Sequence, residues 1–188
     1  RKIGPGSNPH IAPDGASVAY FHQGPGHGTE LKLAPVAGGP AKTLMAGWRE
    51  PFYLEFSPDG EQILALRGAE LGKRKLVLIT IATGAQKVLA SGYFGGFSFD
   101  PEGKQVVYSK SNSERYPPRT DVYRVSTAGG RAVALTTDHR SLDPLWGPTG
   151  KIAFVKQLDA GRRKYGPKNE IYLMDETGKG VKRLTHTK

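Results

Sequence analysis

The sequence predicts an all-β protein, a β-propeller, from three observations: a four-fold internal repeat, alternating apolar strands in every repeat, and no helical periodicity. A Pro-x-Gly turn marks each repeat, and its glycines, at positions 15, 60, 103 and 150, are spaced 45, 43 and 47 residues apart. That spacing is typical of one four-stranded propeller blade. We therefore expect four four-stranded antiparallel blades, at about residues 7–46, 51–91, 95–137 and 142–188.

The turn itself has a structural explanation. Pro fixes φ at the second turn position, Asp bonds the local backbone and Gly accepts a positive φ. The equivalents of Asp14 and Asp59 in the later copies are Glu102 and Thr149, so the position does not require a metal ligand. Four residues before each glycine stands a large apolar residue, expected in the core between packed sheets: Ile11, Phe56, Phe99 and Trp146.

The strands follow each turn in the same order. Apolar, mostly β-branched or aromatic residues alternate through the second strand of each copy, at 16–21, 61–66, 104–109 and 151–155. Third strands are predicted at 31–36, 76–81, 122–125 and 171–174. A turn containing glycine and a short closing strand complete each copy, the latter ending in Leu44, Leu89, Leu135 or Leu184.

Composition excludes several classes of protein. The chain has 188 residues and no cysteine, so neither disulfides nor Cys-ligated metal sites can form. No apolar stretch has the length of a membrane-spanning helix. The formal net charge of +10 favours acidic partners. No recognition helix, zinc finger or RNA-binding aromatic signature accompanies that charge, so we do not expect a nucleic-acid ligand.

Taken together, these motifs resemble the TolB-like propeller repeat, with its WD-like Ser-Pro-Asp-Gly turns. The fourth copy matches best, through Ile171-Tyr172-Leu173-Met174-Asp175 and Lys182-Arg183-Leu184-Thr185. Propellers of this kind close with about six to eight blades. The resemblance therefore implies that these four blades are part of a larger ring. The alternatives, in order, are that four blades close alone or that two chains associate through their open propeller edges.

A binding face is predicted from the blade connectivity. The loops between second and third strands lie at the same end as the connections between blades, at 45–53, 90–97 and 136–144, opposite the Pro-Asp-Gly turns. These loops are long and varied, and binding residues concentrate on such loops. Aromatic and cationic residues there suit recognition of a protein or peptide. The candidate partner-binding residues are Trp48, Arg49, Tyr93, Tyr116, His139, Arg140, Arg163 and Tyr165.

No catalytic motif is present: the sequence lacks a Gly-x-Ser-x-Gly elbow, a His-Glu-x-x-His pair and a phosphate loop. We expect no catalytic residue, metal or cofactor in this chain. The resemblance implies a non-catalytic scaffold that binds a protein or peptide through its axial channel and through its loop face, the end that carries the loops described above. It also implies that the protein is periplasmic or secreted. The alternative is the substrate-gating propeller of a prolyl-oligopeptidase-like serine peptidase whose hydrolase domain lies outside this chain. A propeller lyase acting on acidic sugars ranks last.

Overall fold

The computed structural model describes residues 5–24, 28–48, 53–68, 74–111, 119–158 and 168–186. Within these ranges every regular element is a β-strand, and no described segment forms a helix long and apolar enough to cross a membrane. The strands, numbered along the chain, are β1 Ser7–Ile11, β2 Ser17–Gln23, β3 Thr29–Pro35, β4 Lys42–Trp48, β5 Leu54–Phe56, β6 Gln62–Arg67, β7 Arg74–Thr80, β8 Gln86–Phe99, β9 Gln105–Ser111, β10 Thr120–Ser126, β11 Val133–Ala134, β12 Ser141–Trp146, β13 Ile152–Gln157, β14 Asn169–Met174 and β15 Lys182–Arg183.

Neighbouring strands pair in chain order. Strands β1 to β4 form one four-stranded sheet and β12 to β15 another, while β5 to β11 pair in sequence with β8 shared between β7 and β9. We call β1–β4 blade 1, β5–β7 with the start of β8 blade 2, the end of β8 with β9–β11 blade 3, and β12–β15 blade 4. The predicted all-β fold with four-stranded antiparallel sheets is confirmed. The predicted blade bounds stay a prediction.

Strand β8 is longer than the sequence suggests. Residues 90–97, predicted as a connection between blades, lie inside this strand. Tyr93 and Phe94 pair with Ser111 and Lys110 of β9, so their backbone has ladder partners. Gly92 has a φ of 141°, a backbone conformation that other residues rarely adopt. The loop prediction is wrong here because glycines weaken the sequence signal for a strand without preventing its pairing.

The Pro-x-Gly turns have the predicted chemistry. The Asp14 carboxylate accepts a hydrogen bond from the Ala16 N–H at 2.8 Å, and that of Asp59 accepts one from the Glu61 N–H at 2.9 Å. The four turn glycines have φ between 70° and 76°. Each of them donates its N–H to the carbonyl three residues earlier. The turn interpretation of these aspartates is thus confirmed.

The chain forms two compact units, Arg1–Ser91 and Gly92–Lys188. In the first unit, a core cluster joins residues of blades 1 and 2, including Phe21, Leu31, Phe56 and Ile79. In the second, a cluster joins blades 3 and 4, and its members are Val107, Val122, Leu135, Trp146, Ile152, Phe154 and Met174. Each unit therefore has its own core between two packed sheets, and burial of this apolar surface stabilises it.

Ile11 departs from the core prediction. Phe56, Phe99 and Trp146 are buried as expected, but Ile11 is 68% exposed. Its register matches theirs, since Ile11 pairs with Val18 as Phe56 pairs with Ile63. Phe56 packs in the cluster that joins blades 1 and 2. Among the described residues no blade precedes β1, so the same position in blade 1 lacks a sheet to cover it.

Candidate functional site

The structure describes four of the eight predicted partner-binding residues. Arg49, Tyr116, Arg163 and Tyr165 lie outside the described residues. Trp48 ends strand β4 in the first unit. Tyr93, His139 and Arg140 all belong to the second unit. The site is therefore built from these three residues and the strand ends that hold them.

Strand register brings Tyr93 and Arg140 to one edge of the second unit. Tyr93 of β8 lies opposite Ser111 of β9, and Ser111 lies opposite Thr120 of β10. A parallel β-bridge then joins Thr120 to Arg140. Three strand spacings of about 4.8 Å separate these residues, so the backbones of Tyr93 and Arg140 lie about 14 Å apart along this row. We call this edge the loop edge, defined by Tyr93, Ser111, Thr120, His139 and Arg140.

His139 is held by Asp121, the second residue of β10. Its backbone N–H donates to Asp121 Oδ1 at 2.9 Å, and its Nδ1 lies 2.6 Å from Asp121 Oδ2. A carboxylate only accepts hydrogen bonds, so Nδ1 carries the proton and Nε2 is left for an outside group. His139 has a φ of 58°, a conformation uncommon for non-glycine residues. About half of its side chain is exposed, whereas that of Asp121 is 2% exposed.

Thr136 completes the surroundings of this buried carboxylate. Its hydroxyl donates to Asp121 Oδ1 at 3.2 Å and accepts the Val122 N–H at 2.9 Å. Asp121 thus receives two side-chain contacts and one backbone N–H. The connection from β11 to β12 is fixed by these bonds, and the orientation of the imidazole is fixed with it.

Arg140 follows in the same connection and is also held in place. Its N–H donates to Asp138 Oδ1 at 3.0 Å, its carbonyl accepts the Gln157 N–H at 2.9 Å, and its Nη1 donates to the Leu158 carbonyl at 3.2 Å. The Arg140 side chain is exposed. It is therefore an anchored guanidinium at the surface of the loop edge.

Asp138 links this connection to blade 4. Burial alone would raise its pKa, but hydrogen bonds from Lys156, Arg140 and Ser141 outweigh burial and hold the pKa below its usual value. Lys156 Nζ lies 2.7 Å from Asp138 Oδ2, and the Ser141 hydroxyl donates to Oδ1 at 2.9 Å. Asp138 is ionised at neutral pH, and Lys156 compensates its charge.

Asp121 was not singled out from the sequence, although blade 4 repeats its arrangement. Glu170 is the second residue of β14, and its carboxylate contacts the Thr185 hydroxyl and Arg183 Nη2, the latter at 2.8 Å. The Ile171 N–H donates to Thr185 Oγ1 at 2.9 Å, as Val122 donates to Thr136. The signal available was an acidic residue opening the third strand, followed about 15 residues later by Leu-Thr. His139 contacts the Asp121 carboxylate in blade 3, as Arg183 contacts the Glu170 carboxylate in blade 4.

Asp143 is a second residue that sequence reasoning missed. It sits in a bulge of β12 with a φ of 47°, and its Oδ1 accepts the Gly96 N–H at 3.0 Å. Asn8 has the corresponding place in a bulge of β1, with a φ of 50°. Both residues precede a proline. Asn and Asp tolerate this conformation, so the Asx-Pro dipeptides were the available signal.

No metal site can be built from the described residues, because no three His, Cys, Asp or Glu side chains among them lie together. Within this part of the chain, the loop edge offers one imidazole nitrogen, an anchored guanidinium and an aromatic ring. The guanidinium donates hydrogen bonds and attracts negative charge, the imidazole nitrogen accepts a hydrogen bond, and the aromatic ring supplies contact area. The described arrangement suits recognition.

The sheets and their antiparallel meanders have the organisation of β-propeller blades. No protein-family model and no curated protein matches the sequence. Among solved structures, the chain is similar to a putative TolB from Agrobacterium tumefaciens, with 22% identity, a TM-score of 0.74, and coverage of 97% of this chain and 67% of that one. It is also similar to TolB from Acinetobacter baumannii, with 21% identity, a TM-score of 0.67 and coverage of 92% and 42%.

A peptidase propeller shows comparable likeness. The β-propeller domain of the Trilobed protease from Pyrococcus furiosus is 15% identical, with a TM-score of 0.71 and coverage of 95% of this chain and 57% of that one. At such identities the likeness shows the fold alone. The chain spans between about two fifths and two thirds of these three proteins.

Proposed function

We propose that this chain is a non-catalytic β-propeller scaffold that binds a protein or peptide partner through its loop face and axial channel. The observation that carries the proposal is the loop edge of the second unit. There His139 is clamped by buried Asp121, and the neighbouring Arg140 is anchored on the Leu158 carbonyl. A periplasmic or secreted location, which the repeat resemblance implies, is part of the same proposal.

The support is energetic as well as geometric. His139 adopts an uncommon backbone conformation, which costs free energy unless surrounding contacts fix it. The two bonds from Asp121 supply those contacts, and Asp138 holds the next residue, Arg140, through its N–H. A side chain fixed before binding loses less conformational freedom on binding, which favours affinity. The aromatic and arginine side chains at this edge are also the residue types that dominate binding energy at protein interfaces.

The second candidate is the substrate-gating propeller of a serine peptidase. It is favoured by the likeness to the Trilobed protease propeller, which is close to that of the TolB structures. The two candidates differ in the native protein. A fluorophosphonate probe would label an active-site serine in a peptidase, whereas a scaffold would stay unlabelled. Labelling of the native protein would therefore overturn the scaffold proposal.

The direct test is site-specific photocrosslinking. A benzophenone amino acid is placed at Arg140 on the loop edge, and the variant is irradiated in cells of the native source. The matched control replaces Arg131, an exposed arginine between β10 and β11 at the opposite end of β10.

The scaffold proposal predicts a discrete protein adduct from position 140 and none of the same mass from position 131. Equal adducts from both positions, or none from position 140, would contradict it. The adduct is identified by mass spectrometry.

A further inference from the structure

We infer that the loop edge binds an acidic segment of its protein partner, with carboxylate side chains meeting Arg140 and Arg119. This inference rests on the proposed function and names the chemistry of the partner. It follows from three features: the anchoring of Arg140, the exposed Arg119 that precedes the residue bridged to it, and the way the described acidic residues of this edge are already engaged.

Arg140 presents a guanidinium in a fixed place. One of its five N–H donors is given to the Leu158 carbonyl at 3.2 Å, and no described acidic residue forms an ion pair with it. A guanidinium fork matches the two oxygens of a carboxylate, and such charge-assisted pairs are the strong hydrogen bonds of proteins. Anchoring through one donor leaves the others to a ligand.

His139 and Arg119 lie next to it. Arg119 and His139 are the residues that directly precede the bridged pair Thr120 and Arg140. Arg119 is exposed. Asp121 engages His139 Nδ1, so Nε2 is the imidazole atom that a ligand can reach. Two guanidinium groups, those of Arg119 and Arg140, therefore lie within a few residues of one another, which suits a segment with more than one carboxylate.

The described carboxylates of this edge have other partners. Asp121 is bonded to Thr136 and His139, while Asp138 is paired with Lys156. Glu170 is paired with Arg183. In the described part of the chain, Arg119 and Arg140 have no acidic partner. The two guanidinium groups give this edge positive charge, which attracts an acidic ligand.

Discrete carboxylates fit this edge better than a nucleic-acid backbone. The carboxylates of Asp121 and Asp138 lie among the cations, and they would repel the closely spaced phosphates of a nucleic acid. A peptide can place its acidic side chains at the arginines and neutral groups at the aspartates.

The test uses a fluorescent peptide with acetylated and amidated ends and four consecutive glutamates. Its all-glutamine counterpart is the neutral probe, and binding is followed by anisotropy at about 50 mM salt, where screening is weak. We expect the glutamate peptide to bind at least about tenfold more tightly than the glutamine peptide. Equal binding of the two peptides would overturn the inference.

Three variants locate the binding. Arg140→Gln is expected to weaken binding of the glutamate peptide about tenfold or more. Arg119→Gln should weaken it about three- to tenfold, because it removes the second exposed guanidinium of the edge. The control Arg131→Gln removes the same charge at the opposite end of β10 and should change affinity less than about twofold. If it weakens binding as much as Arg140→Gln does, the attraction is unspecific and the inference fails.

Two further results separate this inference from the proposed function. A single-stranded oligonucleotide that binds more tightly than the glutamate peptide, and is weakened by Arg140→Gln, would reassign the edge to nucleic acid. A protein crosslinked at position 140 whose affinity survives neutralisation of its acidic residues would overturn the inference and leave the scaffold proposal standing. Peptide binding as expected, with no crosslinked protein at position 140, would contradict the scaffold proposal alone.

Discussion

Asp121 holds His139 with both oxygens of one buried carboxylate: Oδ1 accepts the histidine's backbone N–H at 2.9 Å, and Oδ2 lies 2.6 Å from its Nδ1. The two residues are 18 positions apart, on β10 and on the connection to β12. This pair ties the outer part of blade 3 to the start of blade 4. Its counterpart in blade 4 is Glu170, whose partner Arg183 lies within the same blade.

Both buried carboxylates should contribute to stability. We expect Asp121→Asn and Glu170→Gln each to lower the free energy of unfolding by about 1–3 kcal/mol, because each leaves buried donors or acceptors mismatched. The control Asp14→Asn changes a turn carboxylate that is exposed, and it should stay within about 0.5 kcal/mol. Urea unfolding followed by tryptophan fluorescence measures all three. An Asp121→Asn variant as stable as the parent would show that the pair does not stabilise the fold.

Asp138 should make stability depend on pH. Its folded-state pKa lies below the usual 3.8, so the unfolded chain takes up the proton first as the pH falls. The stabilisation is therefore fully present above the unfolded pKa and is lost as the pH falls through the folded value. Because the Asp138–Lys156 pair is partly exposed, its contribution should be below about 1 kcal/mol.

Comparing the parent with Asp138→Asn at about pH 7 and pH 3 isolates this carboxylate. The difference in unfolding free energy between the two proteins should be present at the higher pH and smaller at the lower one. An equal difference at both pH values would mean that the titration of Asp138 is not linked to folding.

Equivalent positions in blades 3 and 4 should respond differently to truncation. Val122 and Ile171 each follow the buried carboxylate of their strand. Val122 belongs to the core cluster, whereas Ile171 is 43% exposed. We expect Val122→Ala to cost about 1–3 kcal/mol through the cavity it leaves, and Ile171→Ala to cost within about 0.5 kcal/mol. Thermal or urea unfolding of both variants checks this. Equal costs would mean that Ile171 is covered in solution.

The fold could be predicted from the sequence because each repeat keeps a fixed spacing between its turn glycine and its core residue. Phe56, Phe99 and Trp146 were predicted in the core by their fixed distance from a turn glycine, and all three are buried. Ile11 has the same distance but is exposed, since burial depends on a neighbouring sheet and not on local pattern. Residues 90–97 were missed as strand because three glycines interrupt the apolar alternation there.

The candidate site could be predicted only in part. Tyr93, His139 and Arg140 were named as loop residues, and strand pairing brings them to one edge. Asp121 was missed because a single acidic residue at a strand start resembles an exposed position. Its role depends on Thr136 and His139, which fold back from 15 and 18 residues further along. The hydrogen-bond partners of this buried carboxylate are distant in the sequence, so no local sequence pattern identifies them.

The close approach of β8 and β12 offers a last test. A Cβ added at Gly95 would lie 2.5 Å from Ser109 Oγ and 3.1 Å from Asp143 Oδ1. Ser109 is fully buried, and its hydroxyl accepts the Asp143 N–H at 3.2 Å. Gly95→Ala should therefore destabilise the protein by about 1–3 kcal/mol through overpacking, and Ser109→Ala by about 1 kcal/mol through the lost hydrogen bond.

Combining the two substitutions tests whether the hydroxyl is the obstacle. In the double variant the alanine at position 95 no longer meets Ser109 Oγ, so the total loss should be smaller than the sum of the single losses by about 1 kcal/mol. Urea unfolding of the parent, the two single variants and the double variant gives the four free energies that this comparison needs. Strict additivity would mean that the destabilisation by Gly95→Ala comes from contact of the added methyl with Asp143. The carboxylate of Asp143 is also close to that methyl, and it accepts the Gly96 N–H.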